Sequence, residues 1–485
     1  MFNKEKKFGW RKIFLETTTT IEILRSTIGN PITRKIISGF GFCEKCGKHS
    51  IEIALELYVG ERKKACLRCR LAEKTISGVV KTGGKAFGVS EETLKQQFRH
   101  PSWRKALANV LTGISRFGVQ KPFITGAPFL VVWDVTYACN LKCKHCYANA
   151  GKKLDDELTT EQALETIDKL DHASVPLIAF SGGEPLVRKD IFKLTKYAEE
   201  KGIYPAVATN ATLITKEKAR EMKKNGVGFV QISLDGASAE THDRFRGIKG
   251  VFDKTIQGIK NCVEQDFFVN IATTVTKYNY QEIPRIIDLC EKLDVEWFMI
   301  YNFVPTGRGT FIAQNDLSPQ EREQLLKILW NRLKNSKKVS VLSTAPQFAR
   351  VALESEINQD EKIIPTHFAN PTLSGKLVNL AEFIGGCGCG RVYCAIRPNG
   401  DIEPCVFFPL TVGNIKKDDF EDLWRNNQIL RELRNRDKLE GNCGQCDYRY
   451  YCGGCRARAY GYTSNYLGPD PGCIKNQVLI QQPSS

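Results

Sequence analysis

No stretch of this 485-residue chain approaches the roughly 20 apolar residues that cross a bilayer, so a helical membrane protein is not expected. The opening segment MFNKEKKFGW has no apolar core and no small-residue cleavage site, and therefore does not read as a signal peptide. No unit recurs at a fixed period, which sets repeat architectures aside. Isolated cysteines are scarce: of 18, only Cys262 and Cys290 stand outside a group, and both sit in helical patterns as buried apolar residues. Apolar residues are not scarce. A hydrophobic content of 42% excludes global disorder, and the length suits roughly two to four domains. The expectation is a cytoplasmic chain, at most peripheral on the inner face of the membrane.

The grouped cysteines point to metal rather than disulfides, because a long chain without a secretion signal is expected to stay reduced. The groups are Cys43/Cys46 with Cys66/Cys69, then Cys139/Cys143/Cys146, then a set from Cys387 to Cys473. Charge is uneven as well. Residues 1–125 hold 24 Lys and Arg against 10 Asp and Glu, a net +14 of the chain's +16. Such a local field attracts anions, whether phosphate on nucleic acid or lipid headgroups.

From residue 129 the pattern alternates. Apolar, β-rich runs at FLVVWDVT (129–136), LIAFSGG (177–183), YPAVATN (204–210), FVQISLDG (229–236), FVNIATTVT (268–276) and WFMIYNFVP (297–305) are separated by helical patterns. Thr159-x-x-Gln162 and Ser318-Pro319-Gln320-Glu321 read as capping boxes. Six strand–helix units predict an α/β fold with a parallel sheet, doubly wound or an incomplete barrel, with its site at the strand C-terminal ends. Residues 336–380 read as an irregular bridge, and from 381 the chain is Gly- and Cys-rich.

CNLKCKHCY (139–147) places three cysteines on one short loop after the first run. Four thiolates saturate a structural zinc or an ordinary [4Fe-4S] cluster. Three leave one iron open to a substrate; the alternative is a zinc site completed by His145. This spacing resembles the radical S-adenosylmethionine (radical SAM) signature, and further segments resemble that family's motifs in order. Ser181-Gly182-Gly183-Glu184-Pro185 resembles the segment binding the methionyl amino group. Thr209-Asn210 ends the third strand, with Ala211 where the family often has Gly. Ser233 and Asp235 resemble ribose and methionyl contacts. Arg246 resembles the arginine that pairs with the methionyl carboxylate. The resemblance implies S-adenosylmethionine as cofactor, its one-electron cleavage at a cluster on Cys139, Cys143 and Cys146, and hydrogen abstraction from an unactivated carbon. It also implies a one-electron donor such as ferredoxin or flavodoxin.

The C-terminal cysteines resemble the SPASM extension of that family, which carries two auxiliary [4Fe-4S] clusters. Twelve residues separate Cys387 from Gly400, and four separate Gly400 from Cys405. By that resemblance one cluster takes Cys387, Cys394, Cys405 and Cys455, with Cys389 spare or competing with Cys387. The other takes Cys443, Cys446, Cys452 and Cys473. The two-residue gap Cys452-x2-Cys455 departs from the family's usual three. Zinc at one or both sites is the alternative.

Cys43-x2-Cys46 and Cys66-x2-Cys69, nineteen residues apart, read as a zinc ribbon or a rubredoxin-like iron knuckle. In WRKALANVLTGISRF, Trp103, Leu107, Val110, Leu111, Ile114 and Phe117 recur at helical spacing among Arg104, Lys105 and Arg116. That helix either lies in a bilayer interface or packs on the barrel. The expected organisation is a basic N-terminal module (1–125), a partial (β/α)6 TIM-type barrel (126–312), a helical bridge (313–380) and a SPASM domain (381–485), with three [4Fe-4S] clusters and one zinc. The substrate expectation is a lipid chain met at an anionic membrane. Peptide maturation, tetrapyrrole side-chain modification and a nucleic-acid partner for the basic module are the alternatives.

Overall fold

The computed structural model describes residues 28–336, 338–355, 365 and 380–476. The opening MFNKEKKFGW and most of 356–379, part of the expected bridge, lie outside them.

Among the described residues the first elements are helix Pro31–Ser38 and a hairpin of β1 (Phe42–Cys43) and β2 (Lys48–His49). Helices Ser50–Tyr58, Leu67–Phe87, Glu91–Phe98 and Pro101–Phe117 follow. The six apolar runs then form β3 (Leu130–Asp134), β4 (Leu177–Ser181), β5 (Tyr204–Thr209), β6 (Phe229–Ser233), β7 (Phe268–Val275) and β8 (Trp297–Asn302), paired in parallel and in chain order. Alternate residues of these strands, among them Val131, Trp133, Ile178, Phe180, Val230, Ile232, Phe298 and Ile300, are buried beneath the surrounding helices. Both predicted capping boxes form, opening helices Thr160–His172 and Pro319–Asn335.

The sheet is larger than six strands. Within the stretch read as an irregular bridge, β9 (Ser340–Ser343) continues it beside β8. On the other edge, β10 (Tyr393–Ile396) from the Cys-rich region pairs in parallel with β3, and β11 (Asp401–Glu403) and β12 (Gly413–Asn414) add antiparallel. The α/β barrel and the cysteine-rich segment thus share one ten-stranded sheet.

The helix carrying Trp103 and Phe117 packs between the rest of the module and the barrel, with Trp103 left exposed near its start. Ala108, Leu111 and Ile114 are buried. Its basic residues are spent on ion pairs: Arg104 with Glu61 at 2.6 Å, Lys105 with Glu52 at 3.2 Å and with Asp171, and Arg116 with Glu421 at 2.8 Å. Asn109 Nδ2 donates to the carbonyls of Pro128 and Ser174, and Phe42 stacks on His172 at 4.4 Å. Pro128 and Ser174 precede β3 and β4, so the module sits on the N-terminal ends of the strands. The cysteine loop leaves their C-terminal ends, a five-residue strand away at about 3.3 Å per residue. A membrane bound by the basic module would therefore meet the end of the barrel opposite the loop. Among the described residues no helix is long and apolar enough to cross a membrane.

Candidate active site and cysteine centres

Cys139, Cys143 and Cys146 lie on the loop after β3, which is fastened from several sides. It closes on itself: Cys139 N–H donates to Gly151 O and Gly151 N–H to Tyr137 O, at 3.1 and 2.8 Å. The loop after β4 bonds to it through Gly183 N–H to Thr136 O (2.7 Å) and Glu184 N–H to Ala138 O (2.9 Å). A Cβ on Gly183 would come within 2.3 Å of Ala138 O, and one on Gly182, at φ +133°, within 2.3 Å of Thr136 O. These glycines are needed for the close approach of two protein backbones, a reason the sequence did not reveal. From the loop after β8, Arg308 donates from Nε to Cys143 O, from Nη1 to Ala150 O and from its backbone N–H to Cys146 O. Gly307, at φ +55°, sits where a Cβ would be 2.3 Å from Tyr147 O. Neither Gly307 nor Arg308 was flagged by sequence; their contacts lie about 160 residues away along the chain.

The three thiols are partly or wholly buried. Burial pushes the Cys139 thiol up to about 12 and raises Cys143, with Arg246 opposing the latter. A cationic metal is the natural compensation for thiolates at such a position. Arg246 donates from Nη1 to Cys143 Sγ at 3.6 Å and pairs through Nη2 with Asp235 at 2.6 Å. Asp235 is fully buried at the end of β6 and accepts from Thr274 N–H; burial raises its carboxyl, with Arg246 opposing. The Arg246 Nε and His145 Nδ1 have no partner among the described residues. His145 stacks on Phe245 at 4.1 Å with Nε2 3.5 Å from Asp235, which turns it away from the zinc-ligand alternative.

Glu184 is fully buried. Its Oε1 accepts from Thr209 Oγ1 (2.8 Å) and Leu186 N–H (3.1 Å), and its Oε2 from Asn210 N–H (2.9 Å). Burial pushes its carboxyl up, against these bonds. It thereby fixes the end of β5. Asn210 continues the network, with Nδ2 on Asn140 Oδ1 and Oδ1 accepting from Thr212. Ala211 adopts φ +59°, the left-handed region for which glycine is the usual residue. Ser233 stands half-buried at the last position of β6. A network the sequence did not show joins the barrel to the Cys-rich region: Asp134 accepts from Tyr147 OH (2.9 Å) and pairs with Arg397 (2.5 Å), which also pairs with Glu403.

In the C-terminal region Cys443, Cys446, Cys452 and Cys473 line one cavity. Gly453 and Gly454, at φ +70° and +61°, form the shortened gap before Cys455. The other set differs from the expectation. Strand β10 alternates: Tyr393 and Ala395 pack with Cys387, Cys389 and Cys405, whereas Cys394 and Ile396 pack on the opposite face with Val131, Trp133 and Trp424. Cys394, expected in this group by the resemblance, therefore faces away from it. Cys389 lies against Cys387 and Cys405, and Cys455 faces the same two. The group is Cys387, Cys389, Cys405 and Cys455.

At the N-terminal site the four sulfurs of Cys43, Cys46, Cys66 and Cys69 lie within 4.8 Å of one another, with Cys43 and Cys66 at 3.6 Å. Bonds of about 2.3 Å in a tetrahedron space sulfurs about 3.8 Å apart, so the set fits a single metal ion. The Cys69 backbone N–H and neighbouring thiols pull the Cys66 thiol down to about 6. Among the described residues this is the one group of three or more Cys, His, Asp or Glu packed that closely. The wider cysteine sets suit multi-iron clusters. Charge agrees: Arg436 and Arg456 are buried beside the C-terminal sets with no carboxylate partner among the described residues, which fits anionic, thiolate-bound clusters.

A barrel with an open three-thiol loop at its strand C-termini, continued by a cysteine-lined segment on the same sheet, defines a cluster-bearing enzyme class. The family model described as radical SAM superfamily matches residues 133–290, and that of an iron-sulfur cluster-binding domain matches 387–447. The AdoMet-dependent heme synthase of Methanosarcina barkeri is 36% identical over 353 residues, covering 72% of this chain and 97% of that protein. Mycofactocin maturase MftC of Mycobacterium tuberculosis is 33% identical over 355 residues, covering 72% and 83%. Streptococcus suis SuiB bound to S-adenosylmethionine shares the fold at a TM-score of 0.62 and 19% identity, covering 87% of this chain and 92% of that one. The chain belongs to the radical SAM superfamily, in its SPASM-containing branch, and is an enzyme that uses S-adenosylmethionine and [4Fe-4S] clusters. These relatives are named for heme synthesis and for mycofactocin maturation, and neither name refers to a lipid. With Ala108, Leu111 and Ile114 of the amphipathic helix packed inside the protein as well, the lipid expectation is withdrawn.

Proposed function

We propose that this enzyme modifies the side chain of a tetrapyrrole by hydrogen abstraction. The observation that carries this reading is the match to a heme synthase across 97% of that protein. The barrel interior supports it. Phe407 packs on Tyr147 and Tyr301 at 5.2 and 6.1 Å, giving an aromatic wall between the cysteine loop and the Cys387 group that suits a flat ligand. Peptide maturation is the second reading, favoured by the MftC match.

When bound, the cluster and S-adenosylmethionine supply one-electron chemistry that generates a hydrogen-abstracting radical. The chain's part is to hold and orient. Cys139, Cys143 and Cys146 would ligate the cluster on a loop held rigid by Arg308 and by Gly182 and Gly183. Arg246 is oriented by Asp235 and would offer its free Nε to the cofactor's carboxylate. Glu184 acts by positioning Asn210, which with Ser233 and Asp235 edges the cofactor's place at the strand ends. The organisation we propose is a catalytic barrel over 126–312 whose sheet is extended by strands of the bridge (313–380) and the cluster domain (381–485), with the described part of 1–125 a structural module on the strand N-terminal ends. A ferredoxin or flavodoxin would deliver the electrons.

Incubation with S-adenosylmethionine, reductant and iron-coproporphyrin III is expected to give a mass change in the tetrapyrrole. Turnover coupled instead to an added peptide, with the tetrapyrrole unchanged, selects the second reading. In the N-terminal site we expect one zinc per chain by elemental analysis. Replacing both Cys43 and Cys69 by serine should remove it and loosen the module, seen as faster proteolysis before residue 125, because the metal binding energy is folding energy there.

A further inference from the structure

We infer that Arg436 sets the reduction potential of both C-terminal clusters, acting through charge rather than as a ligand. This rests on the reading above that clusters occupy the two C-terminal cysteine sets.

Arg436 is 2% exposed. Its Nη2 donates to Cys387 O at 2.7 Å, in one set, and its Nη1 to Gly453 O at 3.5 Å, one residue beyond Cys452 of the other. Its Nε has no partner among the described residues. A Cβ on Gly453 would lie 2.4 Å from the Arg436 guanidinium carbon, so the backbone is pared back to admit this cation between the sets. The neighbouring charges do not account for it. Asp470, a buried carboxylate beside both sets, is engaged by Arg458, Cys455 N–H, Gly472 N–H and Gln347. Arg456 and Arg391 are cations too, each about 1% exposed, and add repulsion.

A buried guanidinium without a counter-charge is costly. Its position becomes favourable when both flanking sets hold thiolate-bound clusters, whose net charge is negative. A reduced cluster carries one more negative charge than an oxidised one, so the cation favours reduction, strongly at low dielectric. Removing it should make reduction harder at both clusters and leave the cluster on Cys139, Cys143 and Cys146 unmoved.

The test is redox titration of reconstituted full-length protein, followed by electron paramagnetic resonance, with iron content measured alongside. Arg436→Gln should lower the reduction equilibrium at least tenfold for both C-terminal clusters, about 59 mV in a one-electron couple. Arg436→Lys, which keeps the charge, should stay near wild type. If Arg436→Gln fails to hold iron, Gly453→Ala, which crowds the guanidinium, should shift both potentials in the same direction. Unchanged potentials in an iron-replete Arg436→Gln protein, or an equal shift in Arg436→Lys, would overturn the inference. Wild-type protein lacking two C-terminal cluster signals would overturn the occupancy reading instead.

Discussion

Replacing Cys139, Cys143 and Cys146 together by alanine is expected to reduce 5′-deoxyadenosine formation to background. It should also remove about four iron atoms per chain while leaving the zinc in place. No nearby side chain can take over. His145 is stacked on Phe245 with its Nε2 3.5 Å from Asp235, and one imidazole cannot replace three thiolates. The loop should survive the change, because its shorter fastenings run through backbone groups and Arg308, and only the long N–H···S bonds from Leu141, Ala150 and Arg246 are lost with the thiols. Anaerobic assay of deoxyadenosine with iron and zinc analysis gives the answer. Substantial deoxyadenosine from the triple variant would mean that the reactive iron is elsewhere.

The second large effect separates Cys389 from Cys394. Cys389→Ala should cost the protein one cluster, about four iron atoms, because it removes one of four converging thiols. Cys394→Ala should retain full iron and lose only packing, about 1 kcal/mol of stability. Thermal unfolding and iron content measured on both proteins decide it. The reverse pattern, with iron lost from the Cys394 variant alone, would mean that β10 presents its opposite face to the cluster.

That distinction shows where sequence reading stops. The six barrel strands were legible because each is a short, β-rich apolar run bounded by turn residues, and the two helix starts because capping boxes are local. Cys389 and Cys394 are not separable by spacing. What decides between them is the pairing of β10 with β3, a contact across more than 260 residues, after which alternation along the strand leaves no choice. The amphipathic helix Pro101–Phe117 was legible as a helix, but its fate was not. Lys105 and Arg116 find partners 66 and 305 residues away, and those partners turn a basic stripe into a buried seam. The glycines of the Ser181–Pro185 segment were recognised by resemblance, yet the reason for them is a neighbouring backbone that sequence does not display.

The placement of the basic module on the closed end of the barrel also bears on substrate access. A substrate must reach the barrel from the strand C-terminal side, past the cysteine loop. Tyr147 of that loop, with Tyr301 and Phe407, forms an aromatic cluster that reaches from the loop to the Cys387 group.

The most direct measurement follows the hydrogen itself. An iron tetrapyrrole deuterated on its propionate side chains is incubated anaerobically with enzyme, S-adenosylmethionine and reductant, and 5′-deoxyadenosine is recovered for mass spectrometry. Deuterium in the deoxyadenosine, appearing in step with altered tetrapyrrole, is the predicted result. Deoxyadenosine that stays unlabelled, with the tetrapyrrole unaltered, would contradict the account.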